Sequence, residues 1–241
     1  MAEPILTLSG VHADIEQYHI LHGVDLQVPR GELTVLLGRN GAGKSTTLRT
    51  IMGLTRLRRG EVRFNGASIS GMPTPQIARK GIAFVPESMG IFALLSVREN
   101  MSLAASSGPI DEGRLEWVFG LFPPLKRFWN RPAGNLSGGQ KQMLAIARAI
   151  IEPRELLLVD EPTKGLAPAI INDLADAFEE LKEQQASILL VEQNFNFSRR
   201  LGQSVAVMDD GRIVFAGQMA ELAGNEDLQQ ELLGLSLGAH Q

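Results

Sequence analysis

The sequence predicts an α/β fold. Its core is a mainly parallel sheet, with an antiparallel β part at the N-terminus and an inserted helical segment. Three observations predict it. Short runs of Leu, Val and Ile alternate with amphipathic helical stretches through the second half of the chain. The first third is all short strands joined by Gly and Pro turns, and between about residues 89 and 136 strand runs disappear. A length of 241 residues suits one large domain with ample core, and 44% hydrophobic with 21% charged residues is ordinary globular material.

Taken in order, residues 5–8, 24–28 and 33–37 are strand-like, and the third run is apolar except for Thr34, as a strand buried on both faces should be. It ends at Gly38, and a helical pattern begins near Lys44. Residues 61–64 followed by Asn65-Gly66 form a strand and turn, and residues 82–85 a short buried strand. Helical stretches around residues 97–106 and 113–121 follow, with breaks at Pro123-Pro124 and Pro132-Ala133-Gly134. After Gly139 a helix presents Met143, Ala147, Ile150 and Ile151 on one face, and Pro153 stops it. Residues 156–159 are a buried strand, and residues 169–184 a helix with Ile170, Leu174, Phe178 and Leu181 on one side. Strands at 188–191 and 205–208 complete the alternation, a turn at Asp209-Asp210-Gly211-Arg212 leads into residues 213–215, and residues 227–235 read as a short packing helix.

Composition removes several chemistries. There is no cysteine, so disulfides, thiol nucleophiles and Cys-based metal sites are excluded. The four histidines are His12, His19, His22 and His240, so the body of the chain offers no imidazole catalysis. A net charge of −4 argues against nucleic acid as a partner. The N-terminus shows no secretory pattern and no apolar run approaches a membrane span, so a cytoplasmic protein is expected, with any span supplied by other chains.

Three motifs carry chemistry. Gly38-Arg39-Asn40-Gly41-Ala42-Gly43-Lys44-Ser45, followed by Thr46, is a phosphate-binding loop between a buried strand and a helix. Its glycines let successive N–H groups curl around phosphate oxygens, Lys44 reaches the β- and γ-phosphates, and the Ser45 hydroxyl ligates Mg²⁺. Asp160-Glu161 ends an apolar strand, where ligands of such sheets sit. Asp160 can reach the Mg²⁺ shell and Glu161 can polarise a water, although a carboxylate pair after a strand is often just a solvated turn. Ser137-Gly138-Gly139-Gln140 opens a helix, either as a plain capped start or as a second anion site.

The order and spacing of these motifs closely resemble an ABC-transporter ATPase subunit from end to end. The resemblance implies one ABC domain over 1–241, with a helical signature subdomain at about 89–150 inserted in a P-loop core. It also implies a head-to-tail dimer in which ATP lies between one subunit's phosphate loop and the other's Ser137 and Gly139. The finer match is to the smaller ATPase of branched-chain amino acid and urea importers, through Leu21-His22-Gly23-Val24, Gly165-Leu166-Ala167-Pro168 and Val191-Glu192-Gln193-Asn194 among others. That resemblance implies a second ABC ATPase subunit in a homodimer or a heterodimer, favouring a larger homologue as the partner, together with integral membrane permease subunits, indirectly a solute-binding protein, and a place on the cytoplasmic face of the plasma membrane. Its alternatives are a soluble non-transport ABC ATPase or a nucleotide-gated structural partner with weak hydrolysis.

The chain departs from the family pattern at four points. The sensor glutamine becomes Glu87, which can still bind Mg²⁺ or its water, or is a solvated turn residue. The switch histidine becomes Gln193, which can hydrogen-bond a γ-phosphate oxygen but carries no proton, so hydrolysis is expected to rest on Glu161. An aspartate after the acidic pair becomes Ala167. The adenine-stacking aromatic falls at Ile15, with the only tyrosine, Tyr18, three residues on; either is a candidate for the base. The apolar residues 89–95 are helical-subdomain core or a docking surface for a membrane subunit, with Phe92 and Leu94 as anchors.

Overall fold

A computed structural model describes residues 4–105 and 108–234, so His240 and the expected ends at Ser106 and Leu235 lie outside the described residues. The chain opens with β1 (Pro4–Ile15), β2 (Tyr18–Pro29), β3 (Leu33–Leu37), α1 (Lys44–Ile51), β4 (Leu57–Phe64) and β5 (Ala67–Ser68). It continues through α2 (Thr74–Arg79), β6 (Ile82–Val85), α3 (Val97–Ala104), α4 (Glu112–Leu121), α5 (Pro123–Arg127) and α6 (Gly138–Ile150). The last third is β7 (Leu156–Asp160), α7 (Pro168–Glu183), β8 (Ser187–Glu192), α8 (Phe195–Leu201), β9 (Ser204–Asp209), β10 (Arg212–Gln218), α9 (Met219–Ala223) and α10 (Glu226–Leu233).

Two sheets result. One is four-stranded, in the order β2-β1-β4-β5, and antiparallel; the other is six-stranded, β10-β9-β3-β8-β7-β6, and parallel except for the β9–β10 hairpin. Both faces of the six-stranded sheet are covered, which is why its central strands read as unbroken apolar runs. Leu33, Val35, Leu37, Leu157, Val159, Ile188 and Leu190 face a core shared with α6 and α7. Their strand neighbours Leu36, Leu158, Leu189 and Val191 face a second core against the antiparallel sheet and α1. The strand period of two thus divides one sheet between two cores.

Three sequence expectations are corrected. The first two strands are long arms of one hairpin, turning at Glu16-Gln17 with Ile15 opposite Tyr18. Glu16 adopts φ 53 there, and without an Asn-Gly signal the turn is invisible to pattern reading. Pro123-Pro124 begins α5 instead of breaking structure, because the first helical turn needs no N–H. Short helices α2, α8 and α9 were not expected at all. Between β6 and β7 the described residues form helices joined by turns and loops, with no strand there but an isolated bridge of Ser96 with Pro132. Fully buried Asn100 holds the chain ahead of α3 through bonds with Phe92 N–H and O, Leu95 O and Ser96 O.

Candidate functional site

The site forms where β3, β7 and β8 end together at the carboxyl edge of the six-stranded sheet. After Leu37 the chain turns at Gly38, where a Cβ would lie 2.3 Å from the Met208 carbonyl oxygen, so only glycine fits. Gly43, at φ 104, precedes Lys44, the first residue of α1. The Lys44 ammonium is buried and donates to Gly38 O at 3.0 Å and Arg39 O at 3.1 Å. It also pairs with Glu161 Oε1 at 3.1 Å. Beside it, Ser45 Oγ donates to Asp160 Oδ1 at 2.9 Å. Ala42 O, on the far side of the loop, accepts from Gly211 N, so the β9–β10 turn braces the loop from outside.

The acidic side is strongly polarised. Burial, with help from the Glu161 and Glu87 charges, pushes the Asp160 carboxyl up to about 6 despite its bond from Ser45. Burial would also raise Glu161, but hydrogen bonds from Gln193 and Lys44, with the charges of Lys44 and Lys164, outweigh it and hold that carboxyl below its usual value. Gln193 Nε2 donates to Glu161 Oε1 at 2.9 Å and also to Asn40 Oδ1, joining the end of β8 to the phosphate loop. Glu161 sits at φ 44, a strained backbone position for a non-glycine residue. Asn40, Gly41, Gly43, Lys44, Ser45 and Thr46 line a cavity of about 300 Å³, closed on its acidic side by Glu87, Glu161 and Lys164. Among the described residues no three Asp, Glu or His side chains converge to cage a metal. The adjacent Ser45 hydroxyl and Asp160 carboxylate are an all-oxygen pair, which suits Mg²⁺ held by one or two protein ligands and completed by phosphates and water.

Residues 21–164 match the ABC transporter family. The chain belongs to that family. The high-affinity branched-chain amino acid transport ATP-binding protein BraG of Pseudomonas aeruginosa is 40% identical over 232 residues, covering 95% of this chain and all of the relative. A probable branched-chain amino acid transport ATP-binding protein, LivF of Archaeoglobus fulgidus, is 35% identical over 228 residues, 93% of this chain and 97% of the relative. A solved ATP-binding subunit of an ABC transporter, 31% identical, superposes with a TM-score of 0.79 over 97% of this chain and 96% of that one. The protein is therefore an ATP-binding subunit of an ABC transporter, an ATPase whose hydrolysis is coupled to transport.

The structure distributes the remaining ABC residues unevenly. Ser137 caps α6: its Oγ accepts from Gln140 N at 3.3 Å and Gln140 Oε1 accepts from Ser137 N at 3.0 Å. Gly139 has a packing reason as well, since a Cβ there would lie 2.6 Å from Ile170 Cγ2 on α7. Residues 137–140 do not line this chain's own phosphate-loop cavity. Of the two candidates near adenine, Ile15 lines the cavity, and Tyr18 stands 62% exposed at the hairpin turn, outside it. Glu87 Oε1 is 2.6 Å from Lys164 Nζ, and Ala167 leaves the start of α7 without a side-chain cap. Arg39 is exposed, and Gly138 opens α6.

Three residues escaped sequence reasoning. Ile20 joins Ile15 on the hairpin wall of the cavity. Lys164, 3.6 Å from Glu161 Oε2, answers the extra charge that Glu87 brings; a carboxylate in place of a neutral amide was the signal to look for a cation. Glu192, only 2% exposed, ends β8 after the apolar run 188–191, and a lone charge closing a buried strand was its signal.

Proposed function

We propose that this chain is the ATP-hydrolysing motor of an importer for branched-chain amino acids or a related small polar solute such as urea or an amide. The observation that carries the catalytic part is Glu161, kept ionised on the wall of the phosphate-loop cavity by Lys44 and Gln193. An ionised carboxylate there can orient and polarise a water toward the γ-phosphate, with Gln193 fixing its aim. Lys44 and the loop N–H groups hold the β- and γ-phosphates. Ser45, Asp160 and Glu87 would hold Mg²⁺, which would supply positive charge against the negative charge of the phosphates. Import of branched-chain amino acids is inferred from the names of the BraG and LivF relatives.

Two surfaces suit the partners of such a motor. The Ser137–Gln140 helix start does not line its own chain's cavity, so the helix start of a second ABC ATPase subunit, the same chain or a homologue, would meet the γ-phosphate in trans. A groove of about 670 Å³ runs between the core and the helical unit at about 89–150, lined by Leu54, Phe84, Met89, Gly90 and Arg148 among others. Phe92 lies under the guanidinium of Arg148, which lines the groove, and Leu94, two residues on, is 95% exposed, a fit for a coupling segment of a membrane permease. Among the described residues no helix is long and apolar enough to cross a membrane, so a permease would anchor the motor at the cytoplasmic face, with a solute-binding protein beyond it.

Glu161→Gln tests the reading. ATP turnover should fall at least about a hundredfold with ATP binding retained, and cells carrying the variant should lose uptake of labelled leucine. Retained turnover overturns the role of Glu161, and lost turnover with unchanged leucine uptake overturns the amino-acid assignment.

A further inference from the structure

Where the six-stranded sheet runs out, the N–H groups that follow β7 and β8 lose their ladder partners. Glu161 N still finds Val191 O at 2.9 Å, one rung past the end of β7. Beyond that rung the donors turn to a single side chain. Glu192 Oε1 accepts from Thr163 N at 3.0 Å, and Oε2 accepts from Gln193 N at 3.0 Å and Asn194 N at 3.1 Å. The Thr163 hydroxyl adds a further bond. Only a carboxylate supplies two oxygens with free lone pairs and no donor of its own, so neither glutamine nor threonine satisfies this set.

The placement is costly. Glu192 is buried, and no ion pair within 4.0 Å joins it to a cation among the described residues. Burial pushes its carboxyl upward against the bonds that favour the charged form. A neutral residue would avoid the buried charge but leave N–H donors of this set unpaired. The two segments it joins are the loop two residues beyond Glu161 and the loop that begins with Gln193. Those loops meet a second time through the Gln193–Glu161 hydrogen bond.

We infer that Glu192 is a positioning residue: its carboxylate ties the backbone after Glu161 to the backbone of Gln193 and Asn194, and so sets the registry between the carboxylate and the amide that orient the attacking water. This rests on the reading of Glu161 and Gln193 given above. Glu192 touches neither phosphate nor water in this account, and its effect passes through the two loops. A misplacement of even 1 Å at a reacting group costs about a hundredfold in rate, so loosening this tie should act on turnover far more than on binding.

The test is Glu192→Gln in the full-length chain, with Glu161→Gln measured alongside. Turnover at saturating ATP should fall about tenfold to a hundredfold, and ATP affinity should change by less than about threefold. Hydrogen exchange at the Thr163, Gln193 and Asn194 amides should accelerate in the variant while the β3 amides stay protected. Unchanged turnover, or equal losses in turnover and affinity, overturns the proposal. If the variant does not fold, the wild-type amides decide: exchange at Thr163, Gln193 and Asn194 as fast as in exposed loops overturns it, and protection equal to β8 supports it. If Glu161→Gln retains turnover, the underlying site reading has failed; if only Glu192→Gln is silent, this inference alone has failed.

Discussion

The two sheets meet water in opposite ways. The antiparallel sheet alternates buried and exposed residues, carries register shifts along both long arms of its hairpin, and gives the nucleotide cavity only the edges of Ile15 and Ile20. The six-stranded sheet is apolar through its middle strands and collects its polar chemistry at one edge, where Asp160 and Glu192 stand on the last ladder rungs and Gly38, Glu161 and Gln193 follow them. Antiparallel strands spread side-chain variety along their length; parallel strands buried on both faces concentrate it at their ends. Under the proposed reading, that contrast explains why one sheet supplies the reaction and the other a wall.

The seam between the sheets is Gly211, so breaking it should have the largest effect. Gly211 N donates to Ala42 O, Gly211 O accepts from His22 N, and a Cβ at φ 70 would stand 2.0 Å from Ile20 O. Gly211→Ala should cost at least about 4 kcal/mol in chemical denaturation and weaken ATP binding in the folded remainder. A loss below about 1 kcal/mol would show that the sheets do not depend on this brace.

A smaller effect separates the sheet edge from the wall by pH. Asp160 binds its proton more tightly when folded, about 6 against the ordinary 3.8, so between pH 4 and 6 the folded state holds the extra proton. Stability contributed by this group is therefore present at pH 4 and is lost as pH rises through 6, by up to about 3 kcal/mol. In metal-free buffer, denaturation midpoints of Asp160→Asn should lack that decline relative to wild type, and parallel curves for the two proteins would refute the burial account.

The smallest effects belong to the wall. Ile15→Tyr should tighten ATP binding by up to about tenfold through ring stacking, with Tyr18→Ala within about twofold of wild type in equilibrium titration. A larger loss from Tyr18→Ala than from Ile15→Ala would mean that the hairpin turn, not the strand edge, meets the base.

The same contrast governs what the chain reveals before folding. The phosphate loop, the strand end at Asp160-Glu161 and the capped helix start at Ser137 to Gln140 were legible because each is contiguous and its local structure is set within a few residues. Lys164 reaches Glu87 across 77 positions and Glu192 reaches Thr163 across 29, and no local pattern marks such partners. The parallel strands were placed closely because burial on both faces leaves a pure apolar run. The long hairpin was underestimated because its bulges break the alternation and Glu16-Gln17 lacks a turn signature. Helix α8 was missed because its seven residues are too few for a helical period to stand out.

The pairing of Lys44 with Glu161 carries one further consequence. Under the proposed reading, phosphate can take the lysine only by displacing the carboxylate, and the carboxylate is free to act on water only once that exchange has happened. Arrival of the substrate and release of the base are then one event, so the carboxylate is unmasked only in a site that already holds its phosphate.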